Sequence, residues 1–225
     1  LDYTWDKPSW LEASVAEQVA CRSAVAVFDQ TSFSKYTLSG PGALTALQHI
    51  SANDVDVPIG ACVYTPFLNE RGGYEADLTI TKLDDDKFMV VVTDTMVRHA
   101  ETWMKRKIPE DAHAFVTDVT GAYGQLNIQG PKSRELLQSI TSVDLSNEAF
   151  PFRTAKEIDI GLARVLCIRI TYLGELGYEL YIPAEQAAHV YDVVNEAGKK
   201  FGMKHAGLKA LASCRMEKGY RDYGH

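Results

Sequence analysis

One pair of matching phrases limits what this chain can fold into more than any other feature. Tyr36-Thr37-Leu38-Ser39-Gly40-Pro41, followed by Leu44, Leu47, Gln48 and Ile50, recurs at an offset of 90 residues as Leu126-Asn127-Ile128-Gln129-Gly130-Pro131, followed by Leu137, Gln138 and Ile140. In both copies a short alternating strand runs into Gly-Pro, and the proline pre-sets φ for the first turn of an amphipathic helix. Strand, tight turn and helix are therefore expected twice.

Further strands and a second helix follow each copy. In the first, strands are expected at about 61–68, 74–81 and 87–92, with a helix over about 95–107. In the second, a strand at about 163–172 turns through Gly174 and Gly177 into a strand at about 178–182. A helix near 184–201 starts after Pro183 and is followed by Gly202, and a last helix spans about 208–218. Sheets with helices segregated to one side, built twice, give an α+β fold of antiparallel sheet-plus-helix units. At 225 residues and 46% apolar composition one large domain is expected over 1–225. Its internal subdomains are roughly 1–36 with 125–225, and 37–124.

Several function classes are excluded early. The formal charge of −7 repels phosphate backbones, and the longest basic block, Lys105-Arg106-Lys107, falls where a helix is expected to end and suits its dipole. Nucleic acid is not an expected partner. No apolar run is long enough to span a bilayer. Cys21, Cys62, Cys167 and Cys214 form no Cys-x-x-Cys pair, and the six histidines lack ligand spacing, so no metal is expected and a reducing compartment is the simplest reading. No Gly-x-Gly-x-x-Gly follows a strand, so no dinucleotide site is expected within these residues. The chain opens in mid-stride on Trp5-Asp6-Lys7-Pro8-Ser9-Trp10 and stops at Tyr223-Gly224-His225 directly after a helix. It is expected to be part of a longer polypeptide.

Two segments place carboxylates among glycines and aromatics: Leu68-Asn69-Glu70-Arg71-Gly72-Gly73-Tyr74-Glu75-Ala76-Asp77-Leu78 and Tyr172-Leu173-Gly174-Glu175-Leu176-Gly177-Tyr178-Glu179-Leu180. Strand alternation puts Ala76, Leu78 and Ile80 on the buried face, so Asp77 points the other way, to solvent or into a cleft. In the second segment the turn is expected to bring Glu179 back beside Tyr172. That pair reads either as an ordinary cross-strand contact or as an aromatic wall with a carboxylate acceptor, which a planar heterocycle with N–H donors requires.

The phrases ACRSAVAVFD, GGYEADLTI, IQGP, DLSNEAFPF, YLGELGYELYIP and RMEKGYR occur in one order, and the chain over roughly Trp5 to His225 resembles the C-terminal half of the sarcosine and dimethylglycine dehydrogenases. That half is related to the glycine-cleavage aminomethyltransferases. The resemblance implies an α+β folate-binding module without the small C-terminal β-barrel of complete aminomethyltransferases. It implies tetrahydrofolate as cofactor, with FAD in a covalently linked upstream domain outside this chain. The flavin would oxidise an N-methyl amine to an iminium ion, whose one-carbon unit this module would pass to tetrahydrofolate, giving 5,10-methylenetetrahydrofolate.

By the same resemblance Asp77 lies beside the reactive nitrogens, Tyr64 contacts the folate, and Tyr172 and Glu179 line the pterin pocket. Glycine-cleavage proteins usually carry Arg-Asp where this chain has Leu211-Ala212, so contacts to the folate tail do not carry over, and Arg215 is read as structural. Two other readings accompany this one: a stand-alone glycine-cleavage aminomethyltransferase, and a non-catalytic regulator resembling the regulatory subunit of pyruvate dehydrogenase phosphatase at SANDVDVP and LNERGGYE. The implied location is cytoplasmic in a bacterium and the mitochondrial matrix in a eukaryote.

Overall fold

The structure, a computed structural model, describes residues 3–224. Leu1, Asp2 and His225, the ends of the expected domain, lie outside the described residues. In chain order the elements are α1 (Leu11–Ser23), β1 (Ala26–Asp29), β2 (Ser34–Ser39), α2 (Ala43–Ile50), β3 (Cys62–Leu68), β4 (Tyr74–Asp84), β5 (Lys87–Val92) and α3 (Val97–Lys107). There follow β6 (Phe115–Asp118), β7 (Tyr123–Gln129), α4 (Ser133–Gln138), β8 (Ala155–Ile160), β9 (Ala163–Ile168), β10 (Gly177–Pro183), α5 (Ala187–Gly198), β11 (Lys204–His205) and α6 (Leu208–Glu217). They form two compact units. One comprises the chain through Gln30 with Gln125–Phe152 and Glu157–Arg221; the other comprises Thr31–Gly124 and Arg153–Lys156, with the residues from Asp222.

The duplication extends to topology. The sheet of the second unit has the order β3-β4-β5-β2-β6, and the six-stranded sheet runs β8-β9-β10-β7-β1-β11. Thus β3-β4-β5-β2 and β8-β9-β10-β7 repeat one arrangement, in which the strand entering Gly-Pro stands fourth. Every neighbouring pair in the five-stranded sheet is antiparallel, whereas β1 pairs β11 in parallel.

Both Gly-Pro turns have the same physical cause. Gly40 and Gly130 sit at φ +119° and +130°, and a Cβ on them would lie 2.1 Å from the His113 carbonyl oxygen and 2.4 Å from that of Ala24. Only glycine meets both demands. The N–H of Ala43 donates to the Gly40 carbonyl at 2.9 Å and that of Ser133 to Gly130 at 3.0 Å. Pro41 and Pro131 therefore occupy the second position of a four-residue turn, just ahead of α2 and α4.

Alternation then sorts the side chains. Leu126 and Ile128 enter a core with Leu136 and Leu137 of α4 and Val190 and Val194 of α5. Tyr36 and Leu38 enter the other unit's core with Leu47 of α2 and Ala100 and Met104 of α3. Each fully buried Leu or Ile contributes roughly 1.5–3 kcal/mol. The expected one-sided arrangement of helices holds for the core built on α2 and α3. In the six-stranded sheet, Ala26 and Phe28 of β1 form a further cluster with Cys21 of α1 and Cys214 of α6, so helices lie on both faces. Periodicity marks neither α1 nor the strands β1, β6, β8 and β11; β1 and β6 are only four residues long and β11 two. The strand expected over 163–172 ends at Ile168.

Gly130→Ala should lower stability by about 1–3 kcal/mol, the scale of backbone strain. Gly121→Ala, where nothing lies within 4 Å of the added Cβ, should shift it by no more than about 0.5 kcal/mol. Urea midpoints decide between them, and equal shifts would refute the close-approach argument. All four cysteines are buried, and burial together with Cys214 pushes the Cys21 thiol up to about 12. Titration with an aromatic disulfide reagent at pH 8 should therefore find no reactive thiol in the native protein, but every one in urea.

Candidate functional site

Asp77 is positioned by a hairpin whose turn is fixed by one side chain. Asn69 Oδ1 accepts hydrogen bonds from the backbone N–H groups of Arg71 and Gly73, both at 3.0 Å, while its Nδ2 donates to Glu75 Oε1 at 2.8 Å. Gly72 supplies the left-handed residue at φ +75°. The Glu75 carboxyl is held below its usual range, first by the Asn69 hydrogen bond and also by His99, whose Nε2 lies 2.9 Å from Glu75 Oε2.

With that turn set, β3 and β4 pair so that Tyr64 opposes Thr79 and Pro66 opposes Asp77. Tyr64 and Asp77 are thus diagonal neighbours on one face. The Tyr64 hydroxyl donates to Asp77 Oδ2 at 2.6 Å. Burial first, then the hydrogen bond and charge of Asp77, push the phenol well above its usual range, so it stays protonated and donates. Pro66 is tolerated because β3 is an edge strand.

Here solvent, one of the two expected surroundings of Asp77, is corrected. The residue is only 8% exposed, although its side chain does leave the face of Ala76, Leu78 and Ile80. Pointing away from the local core is not the same as being wet. No hydrogen bond from a described residue reaches Asp77 Oδ1, the oxygen opposite the one Tyr64 holds.

In the other unit, Tyr178, Leu180 and Ile182 of β10 face the core, which puts Glu179 and Tyr181 on the opposite face. Glu179 Oε1 accepts from Asn127 Nδ2 at 3.0 Å, and Oε2 accepts from the Tyr181 hydroxyl at 2.6 Å. The cross-strand partner of Glu179 is Ile168, not Tyr172. Tyr172 lies in the loop after β9 and stacks on Tyr220, with ring centroids 6.1 Å apart and planes 20° from parallel. The structure therefore replaces the expected cross-strand pair with a strand carboxylate and a loop aromatic.

Arg22 anchors that loop. Its Nη1 donates to the Leu173 carbonyl at 2.6 Å and to Glu175 Oε1 at 3.1 Å, while Nη2 donates to the Cys214 carbonyl at 2.7 Å and to Glu217 Oε2 at 2.9 Å. One guanidinium thus joins α1, α6 and the Tyr172 loop. Arg215 Nη1 donates to the Tyr220 carbonyl at 3.1 Å, which agrees with a structural role. Leu211 packs against the buried cluster of α1 and α6, while Ala212 is exposed. Residue pattern alone missed Arg22, Asn127 and Tyr220; the only signal was that all three fall in or beside the phrases ACRSAVAVFD, IQGP and RMEKGYR. A surface hollow lined by Arg134, Glu135, Gln138, Ser139, Asp144 and Ser146 contains none of the expected site residues.

Comparison with known proteins places these features in a family. The chain is 40% identical, over 100% of its length, to 4-methylaminobutanoate oxidase (formaldehyde-forming) of Paenarthrobacter nicotinovorans, of which it covers 27%. It is 38% identical to the mitochondrial pyruvate dehydrogenase phosphatase regulatory subunit of Mus musculus, over 98% of this chain and 26% of that one. It is 36% identical to the mitochondrial sarcosine dehydrogenase of Mus musculus, over 99% of this chain and 26% of that one. The chain thus spans about a quarter of the length of each of these relatives. Among solved structures its fold matches glycine cleavage system aminomethyltransferase T from Bartonella henselae, with a TM-score of 0.79 at 23% identity over 92% of this chain and 55% of that one. The family described as the GCVT N-terminal domain matches residues 2–225, and the chain belongs to that family.

Proposed function

We propose that this chain is the tetrahydrofolate-binding module of a flavin-linked N-methyl amine dehydrogenase or oxidase, in which Asp77 is the catalytic group. The observation that carries this reading is the Tyr64–Asp77 pair. A carboxylate only 8% exposed, held at Oδ2 by a phenol that stays protonated, presents Oδ1 to whatever approaches. Such an oxygen suits a cation: at 4 Å with an effective dielectric of 20, the attraction is about 4 kcal/mol. It also suits the proton that must leave an amine nitrogen when it forms a new bond to carbon.

Tetrahydrofolate fits these residues by the chemistry of their donors and acceptors, and when bound it supplies the nitrogens that take up the one-carbon unit. Glu179 would accept N–H donors from the pterin, while Tyr172 and Tyr64 would offer ring faces and fix its orientation. Asp77 would stabilise the iminium carbon donor as it approaches. FAD belongs to the amine-oxidising part, outside these residues. Two relatives support this reading by their names, a formaldehyde-forming methylamino acid oxidase and a sarcosine dehydrogenase. The 38% identity to a phosphatase regulatory subunit favours a second reading, a regulator that uses the same fold without one-carbon transfer.

Calorimetric titration separates the two, since binding of a reduced folate is expected only on the first. Glu179→Ala should weaken that binding by about 1.5–3 kcal/mol, the scale of a hydrogen bond to a charged acceptor; equal affinities would remove Glu179 from the site. With an amine-oxidising flavoprotein supplying the iminium ion, Asp77→Asn should leave amine oxidation nearly intact. It should slow methylenetetrahydrofolate formation by about 10- to 1,000-fold and raise free formaldehyde. An unchanged product ratio with folate still bound would end the catalytic assignment of Asp77.

A further inference from the structure

The strand β7 carries a row of amides that the fold does not require. Gln125, Asn127 and Gln129 alternate with the core residues Leu126 and Ile128 and are 0%, 6% and 2% exposed. At the equivalent positions of the duplicated strand, 90 residues earlier, stand Lys35, Thr37 and Ser39. The same strand, Gly-Pro turn and helix form there without any amide, so folding of the unit does not explain the amides of β7.

The hydrogen bonds of two of them, Gln125 and Asn127, lead to Glu179. Asn127 Nδ2 divides its two N–H groups between Gln30 Oε1 at 2.5 Å and Glu179 Oε1 at 3.0 Å. Gln125 Nε2 donates to Asn127 Oδ1 at 3.3 Å. Glu179, whose carboxylate can only accept, fixes which way the Asn127 amide points. Rotated by half a turn, the amide would set its oxygen against two acceptors, Gln30 Oε1 and Glu179 Oε1, and its NH2 against a donor. Asn127 therefore has one orientation, and in it an N–H is directed at the carboxylate. With Tyr181 donating to Oε2, each carboxylate oxygen receives a donor from a different strand.

We infer that Asn127 is a positioning residue for ligand recognition: held by Gln125 and Gln30, it sets the plane of the Glu179 carboxylate so that it meets the 2-amino, N3–H edge of a pterin. This rests on the proposed folate-binding reading. A carboxylate joined to its backbone by three rotatable bonds has many orientations, and only those with its lone pairs in the plane of the ligand accept two parallel N–H groups. Fixing that plane beforehand makes recognition of the edge a property of β7 as well as of β10.

The test compares affinities for tetrahydrofolate and for its 2-desamino analogue, which lacks the donor that Glu179 would read. Wild type should prefer tetrahydrofolate by about 10- to 100-fold, the scale of one charge-assisted hydrogen bond. Glu179→Gln should abolish most of that preference. Asn127→Leu, close in volume, should reduce it to within about threefold, and adding it to Glu179→Gln should cost nothing further in the ratio. Should Asn127→Leu fail to fold, Gln125→Leu, which removes the donor to Asn127 Oδ1 and loosens the hold on its amide, should reduce the preference in the same direction. A purely structural role predicts that both ligands weaken together at an unchanged ratio, or that the two substitutions act additively on it, and either result overturns the inference alone. A wild type that binds neither ligand, or shows no preference, overturns the folate reading and this inference with it.

Discussion

In each unit a strand passes so close to a neighbouring carbonyl that no side chain can stand between them. The approach of Gly130 to the Ala24 oxygen sets where β7 stops and α4 begins, and the Lys132 N–H closes on that same oxygen at 3.1 Å. Gly40 does the same against His113. Because the crossing fixes the end of the strand, it also fixes the phase of the alternation before it. Leu126 and Ile128 must face one way and Asn127 the other. Everything said of the outward faces of the two sheets depends on that phase.

The two carboxylates on those faces are held differently, and the difference suits different tasks. Asp77 is held at one oxygen by a single phenol, across an edge hairpin whose turn Asn69 pins. Glu179 is held at both oxygens, by an amide from β7 and a phenol two residues along its own strand. A group that must respond to a changing charge is served by one uncommitted oxygen. A group that must read a fixed pattern of donors is served by an orientation set in advance.

Much of this was legible in the sequence, and the failures have definite causes. The repeat gave the duplicated strand-turn-helix units, and Ala76, Leu78 and Ile80 gave the buried face of β4, because these depend on near neighbours along the chain. Periodicity could not show that Asp77, on the opposite face, is 8% exposed, or that Lys35 is fully buried with its ammonium donating to the carbonyls of Thr31 and Phe33. A second covered face is a tertiary fact. The length of β9 was misread for the same reason. Ile170 and Tyr172 continue the apolar alternation, but the chain leaves the sheet after Ile168, and Arg22, about 150 positions away in sequence, holds the loop.

The comparison between the repeats carries this distinction one step further. Where two copies of one unit share a feature, as at Gly40 and Gly130, the fold accounts for it, since both copies must make the same crossing. Where they differ at equivalent positions, the shared topology does not supply the reason. The first copy has Lys35 and Thr37 where the second has Gln125 and Asn127. Burying an amide costs about 1–3 kcal/mol unless its hydrogen bonds are made, so a second copy built only to fold had no reason to acquire a row of them. Three elements meet at Asn127, through Gln30 after β1, Gln125 on β7 and Glu179 on β10, and among these side chains Glu179 alone has a formal charge. Divergence within the repeat thus separates what the chain needs to fold from what it has added around one carboxylate.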